Sequence, residues 1–229
     1  CFLMFAPLNA LVTEDFESFS DGAFTTTGDW TINDGDADQG SRTAEILNTG
    51  LSFSNTAFNI DGGNRSLRLN MGATGFDGRD PGNPSAGDND PLNDFAVFDF
   101  SGNSIGSDGD VVEFRYLIQQ VSSNSFTNIG FSGNASADKP SRTSSAGFVV
   151  AEDEIRARIW DGSGADTNKT IATDFSDGTT HLVAGEITLN SGGDETFDLW
   201  VDPTSTDLST LAPTASVTAD METTSFEAW

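Results

Sequence analysis

The chain has little of what usually carries chemistry. Its 229 residues hold one cysteine, Cys1, one histidine, His181, and one tyrosine, Tyr116. A lone cysteine excludes an internal disulfide and any zinc site built from several thiolates. A lone histidine leaves little for Ser–His catalysis, and the chain has neither a Gly-x-Ser-x-Gly elbow nor a glycine-rich phosphate loop. Positive charge is equally scarce: 10 Lys+Arg stand against 36 Asp+Glu, a formal net charge of −26. Phosphate contacts need clustered Lys and Arg, so nucleic acid is excluded as a partner, and an anionic membrane surface repels the chain. The one apolar, uncharged stretch, residues 1–12, is too short to span a bilayer.

What is present is aromatic, acidic and rich in turns. Eighteen Phe and four Trp supply a core of large rings, each able to bury roughly 150–250 Å². From Leu11 onward no window carries helical apolar spacing. Short alternating runs recur instead between Gly, Asp, Asn and Ser clusters, the pattern of an all-β protein. The clearest predicted strands are Ser66–Met71, Phe95–Phe100, Asp110–Val121, Thr127–Ser132, Gly147–Trp160, His181–Asn190 and Glu195–Asp202. Weaker ones lie at Glu14–Phe19, Asp29–Ile32, Leu51–Phe53 and Ser225–Trp229. Asp-Gly and Gly-Gly pairs such as Asp108-Gly109 and Asp177-Gly178 punctuate them, because both residue types tolerate positive φ.

No linker or repeat divides the chain, so residues 13–229 read as one antiparallel two-sheet sandwich. The longest segment without a pattern is Gly72–Asp94. Residues 1–12 read as the remnant of a secretory signal peptide or as an apolar strand donated to a neighbouring subunit, with lipidation of Cys1 a further option. Each of these readings places the protein outside the cell or on its surface.

Two loops concentrate carboxylates. In Asp34-Gly-Asp36-Ala-Asp38-Gln-Gly40 with Glu45 beyond, the acids fall at positions 1, 3, 5 and 12 of an EF-hand-like spacing. Carboxylates at alternate positions of a turn can converge on one Ca2+, although Gln39 stands where the EF-hand has Gly. A solvated acidic turn is the competing reading. Asp77, Asp80, Asp88, Asp90 and Asp94 line the longer loop and read as an acidic solvent-facing stretch.

A third constellation lies within the strands. Period-two alternation puts Glu152, Glu154, Arg156, Arg158 and Trp160 on one side, with Ile155, Ala157 and Ile159 on the other. Glu113, Arg115 and Gln119 share a face opposite Phe114, Tyr116 and Ile118; Arg68 with Asn70, and Asp198 with Trp200, repeat the pattern. Were these strands neighbours, they would form a polar face of Arg, Glu and indole rings suited to stacking on sugars and bonding their hydroxyls. The alternative is a solvent-facing sheet knitted by cross-strand pairs worth roughly 0.2–1 kcal/mol each. Catalysis by this face is disfavoured. Glu152 and Glu154 would stand about 6.6–6.8 Å apart along a strand, and adjacent arginines lower carboxyl pKa values where a general acid needs one raised.

The stretch His181-Leu-Val-Ala-Gly-Glu-Ile-Thr-Leu-Asn190, followed by Thr196-Phe-Asp-Leu-Trp-Val-Asp-Pro203, resembles the laminin-G-like or concanavalin-like jelly rolls of exported bacterial proteins that carry a C-terminal sorting tail. Glu14–Phe19 and Thr224–Trp229 resemble that family's first and last strands, which pair. The resemblance implies a jelly roll, often with a calcium site, that binds polysaccharide or serves at the cell surface, and it carries over no catalytic residue. The expected function is thus a non-catalytic, calcium-stabilised glycan-binding module. A structural subunit of an extracellular fibre, joined to copies of itself through residues 1–12, is the alternative. Calcium in the Asp34–Glu45 loop predicts a melting temperature that rises with added Ca2+ and a rise abolished in Asp36→Ala; a melt unchanged by Ca2+ refutes the site.

Overall fold

The computed structural model describes residues 2–5, 13–25, 27–33, 43–70, 95–98, 104–120, 126–133, 145–151, 154–160, 166–172, 178–221, 223 and 225–227. The first half of the chain forms β1 (Phe2–Phe5), β2 (Thr13–Glu14), β3 (Gly22–Ala23), β4 (Trp30–Asn33), β5 (Thr43–Leu47), β6 (Ser52–Ser54), β7 (Asn59–Asp61), β8 (Ser66–Asn70) and β9 (Phe95–Phe98). The second half forms β10 (Val111–Gln119), β11 (Phe126–Ser132), β12 (Ser145–Ala151), β13 (Glu154–Trp160), β14 (Asp166–Ala172), β15 (Thr180–Thr188), β16 (Glu195–Val201) and β17 (Ala215–Ala219). Among the described residues the only helical element is one 3-10 turn, Leu208–Thr210.

Two sheets dominate, and every described pairing is antiparallel. One runs in the order β17-β16-β15-β10-β1-β2 and the other β11-β12-β13-β14. The chain leaves the first sheet after β10, builds the whole second sheet as a meander, then returns to lay β15 along the full length of β10, Val111↔Thr188 to Gln119↔Thr180. The two inner faces meet in one core, a β-sandwich arrangement. Phe114, Tyr116, Val183, Ile187 and Phe197 come from one side, and Phe131, Phe148, Ile155, Ala157 and Ile159 from the other. Three smaller sheets, β3-β5-β8, β4-β9 and β6-β7, take up the remaining strands.

Phe114 sits at the centre of the core. Its ring lies 5.4 Å from those of Tyr116 and Phe131, 5.7 Å from Phe197 and 6.2 Å from Phe148, so it touches both sheets. Gly185 pairs with it on β15. A Cβ at Gly185 would intrude on the Phe114 ring and stand 2.7 Å from that of Phe197, so glycine supplies the volume the ring occupies. Phe226 extends the core, 5.4 Å from Phe131, and its backbone bridges Ile105. The first and last strands of the resembled family pair with each other, whereas here the partner of Phe226 is Ile105. Glu14–Phe19 is likewise no continuous strand. It leaves β2 at Glu14, and Phe16 adopts a left-handed φ of 62°. Phe16, Phe24, Trp30 and Ile46 then form a second aromatic cluster, with Trp30 Nε1 donating to Glu14 Oε2 at 3.3 Å.

One predicted strand is two. Gly147–Trp160 is the hairpin β12–β13, in register from Ala151↔Glu154 to Ser145↔Trp160. The buried positions show why: Phe148 and Val150 face the core on even numbers, Ile155 and Ile159 on odd ones. A single strand cannot make that switch. Strands β3, β5, β7, β14 and β17 were not predicted. The sequence of β14, Asp-Thr-Asn-Lys-Thr-Ile-Ala, is polar because it is an edge strand in which Ile171 packs into the core while Thr167, Lys169 and Thr170 are exposed.

The outer face of the six-stranded sheet is partly roofed. Leu117 and Leu182 pack under Phe58, beside Phe53 and Ile60 from β6–β7. Ala184 and Trp200 pack under Leu208 and Leu211 from the segment after β16. Asn55 Nδ2 donates to Pro203 O at 2.9 Å, tying the two covers together. At the far end of β16, Glu195 is 1% exposed, and its Oε2 accepts the Met221 N–H at 2.6 Å. Burial raises its carboxyl pKa against the backbone hydrogen bonds that lower it. Gly185→Ala should destabilise the fold by about 1–3 kcal/mol through overpacking at Phe114. Urea unfolding checks this, and a variant of unchanged midpoint contradicts the packing described.

Candidate functional site

The fold distributes the charged strand residues over three surfaces. Arg68 lies on the small β3-β5-β8 sheet, where it is paired in register with Glu45 and salt-bridged to it. Arg115 and Trp200 lie on the outer face of the six-stranded sheet. Glu154, Arg156, Arg158 and Trp160 lie on β13, in the other large sheet. A single face of Arg, Glu and indole rings is therefore not formed, because β13 belongs to the other sheet, across the core from β10 and β16. Glu152, Asp34, Asp36 and Asp38 lie outside the described residues, as does the acidic stretch Gly72–Asp94. Glu45, read as the last calcium ligand, stands on β5 with Arg68 as its partner. Among the described residues no three His, Cys, Asp or Glu side chains are grouped to hold a metal ion.

On β13 the charged row is preorganised. Alternation sends Ile155, Ala157 and Ile159 into the core, all at 0% exposure, so Glu154, Arg156 and Arg158 must project the other way. Arg156 Nε donates to Glu154 Oε2 at 2.8 Å, and its Nη2 lies 2.8 Å from the same oxygen in a salt bridge. The Arg158 guanidinium lies 4.2 Å from the centre of the Trp160 ring, a cation–π stack. Trp160 is 8% exposed and packs on Val149, so its faces are occupied within the protein. Opposite Arg158 stand Gly147 and then Gly130 on the next strands, apposed so closely that a Cβ on either would strike the backbone of the other strand. At these two positions beside Arg158 there is no side chain, and Gly147 is buried. Thr170, paired with Arg156 on β14, is exposed on the other flank. Arg156 and Arg158 put two of the chain's ten cations on the outward side of β13, while Lys169 on β14 pairs with core-facing Ala157 and so belongs to the other face.

The outer face of the six-stranded sheet has the opposite character. Glu113, Glu186 and Asp198 stand in register across β10, β15 and β16. Burial raises the Glu186 carboxyl above its ordinary range; the charges of Glu113 and Asp198 add to this, Arg115 opposes it, and Asp207 adds again. Arg115 Nη2 sits 3.8 Å from Glu113 Oε2 and donates to Thr206 O at 3.3 Å, linking the row to the segment above it. Trp200, the other indole of the predicted binding face, is 4% exposed beneath Leu208. This acidic row was missed in the sequence. Each acid is legible as outward-facing by parity, but only the strand register lines up the three.

His181, at the start of β15, is 9% exposed, and its Nδ1 lies 2.8 Å from Asp202 Oδ2. Asp202 Oδ1 accepts the Leu182 N–H at 2.9 Å, and its own N–H donates to Leu182 O at 2.8 Å. The histidine and carboxylate together close the β15–β16 end, with Asp202 held at a left-handed φ of 51°.

Comparison with family models, curated proteins and solved structures gives no match for this chain.

A carboxyl whose pKa is higher in the folded state binds its proton more tightly when folded. Its contribution favours the fold at low pH and is lost as pH rises from the ordinary value, 4.5, through the raised one. Glu186→Gln removes that ionisation and should raise the melting temperature at neutral pH while leaving it unchanged in mild acid. Thermal melts across this range test the row; an equal shift at every pH contradicts it.

Proposed function

We propose that this chain is an exported, non-catalytic β-sandwich module of jelly-roll topology that binds polysaccharide at the outer face of its four-stranded sheet. The observation that carries the reading is the β13 row, in which Glu154, Arg156 and Arg158 project from a rigid strand in fixed mutual geometry. Guanidinium groups present planar forks of N–H donors that match carboxylates and paired hydroxyls. Holding Arg158 against Trp160, and Arg156 against Glu154, lowers the entropy lost on engaging a ligand. Exposed Thr170, paired with Arg156 on β14, offers a hydroxyl alongside.

Stacking by the two indoles has no part in this reading, since Trp160 carries Arg158 and Trp200 lies under Leu208. The non-catalytic character is supported by the partner of the candidate acid, since Glu154 is engaged by Arg156. Calcium stabilisation belongs to the proposal through the spacing of Asp34, Asp36 and Asp38. Export is supported by the apolar residues 1–12 and by a composition suited to a salty extracellular medium.

A polysaccharide array followed by calorimetric titration tests the proposal. The chain should bind at least one polysaccharide, and Arg156→Ala/Arg158→Ala should weaken that binding tenfold or more, as expected for charged hydrogen bonds worth roughly 1.5–3 kcal/mol each. Absence of binding across the array, or affinity unchanged in the double variant, overturns it.

A further inference from the structure

The six-stranded sheet is incomplete without β1, and β1 is held by little. Phe2–Phe5 pairs with only four of the nine residues of β10, Glu113 to Tyr116, whereas β15 pairs with all nine. On its other side β1 pairs with the two residues of β2, and β2 has no other partner in the sheet. Strand β2 is anchored independently of β1, because Glu14 accepts hydrogen bonds from Trp30 Nε1 at 3.3 Å and from the Phe16 N–H at 2.6 Å. Strands β10 and β2 are therefore the walls of a slot, and β1 is the strand that fills it. Seven residues join β1 to β2, enough to reach about 25 Å when extended. The filling strand, Phe-Leu-Met-Phe, is uncharged in a chain of net charge −26. Its own residues therefore add no charge repulsion when two such chains meet through it. Val111, on β10 beyond the residues that β1 pairs with, is the one exposed large hydrophobic residue among those described.

We propose that β1 is exchanged between two copies of this chain, each copy's β1 filling the β10–β2 slot of the other in a closed, two-fold pair. The hydrogen bonds are the same whether the strand is the chain's own or its partner's, so the choice rests on the connection and on concentration. Repulsion between two acidic bodies opposes the pair and is screened by salt, so exchange should increase with ionic strength.

Two single-cysteine chains decide the matter: Cys1→Ser/Phe5→Cys and Cys1→Ser/Glu113→Cys, distinguished by a tag and refolded together in oxidised glutathione. Phe5 and Glu113 are paired across β1 and β10, within disulfide reach. A strand closed on its own chain cannot join the two; an exchanged one can. The expected result is a mixed disulfide in clear excess over the two like pairs, growing with protein concentration and with salt. Mixed and like pairs in statistical proportion, or no pairs, overturn the proposal, as does a series of species larger than a pair from the chain with both cysteines. Leu3→Cys with Arg115→Cys, also paired in register, repeats the test should either first variant fail to fold.

Discussion

The structure depends on the fit of Phe114 against Gly185. The ring reaches across the sandwich to Phe131 and Phe148 because the opposing residue on β15 has no side chain to hold it away. Phe148 stacks on that ring at 6.2 Å and Phe197 lies 5.7 Å from it, so both sheets pack against one side chain. Burying a ring of this size supplies a large part of what a core must provide. It supplies this only if the neighbouring backbone leaves room, and interiors packed to crystal density leave none by accident.

The outer faces are consequences of the same alternation. Every residue that points into the core sends its neighbours outward, and the two outward surfaces have met different ends. That of the six-stranded sheet is roofed by β6–β7 and by the segment after β16, joined through Asn55 and Pro203, with the acidic row of Glu113, Glu186 and Asp198 beside the cover. That of the four-stranded sheet carries the paired arginines. Opposite charge thus sits on opposite sides of one core, and the molecule presents a local cationic strip on an acidic body.

Much of this was legible in the sequence, and the limits are physical. The strands β10, β15 and β16 declare themselves because each has a strict apolar face, as in Val112, Phe114 and Tyr116. The parity that sends Arg156 and Arg158 away from the core is equally plain. Strand β14 is silent because an edge strand with one buried residue has no alternation to show. The hairpin β12–β13 showed two signs, the step from even to odd between Val150 and Ile155 and the polar Glu152-Asp153-Glu154 between the two apolar runs, but no Gly or Pro marks its turn. Parity names the face of a strand but not its neighbours, and this is why Arg115, Arg156 and Arg68 looked like parts of one surface. For the same reason the alignment of three acids across β10, β15 and β16 went unseen. Both depend on which strands are adjacent, and adjacency here is set by a meander placed between two strands that bond to each other.

That placement has a bearing on how the chain finds its structure. Strands β10 and β15 share the longest described pairing in the molecule, yet all of β11–β14 lies between them. Closing so long a loop from an open chain is entropically slow, and the cost falls as the intervening segment becomes compact. The meander needs only local hairpin contacts to form. Once formed it carries β15 back alongside β10, so the second sheet acts as a template on which the first is assembled.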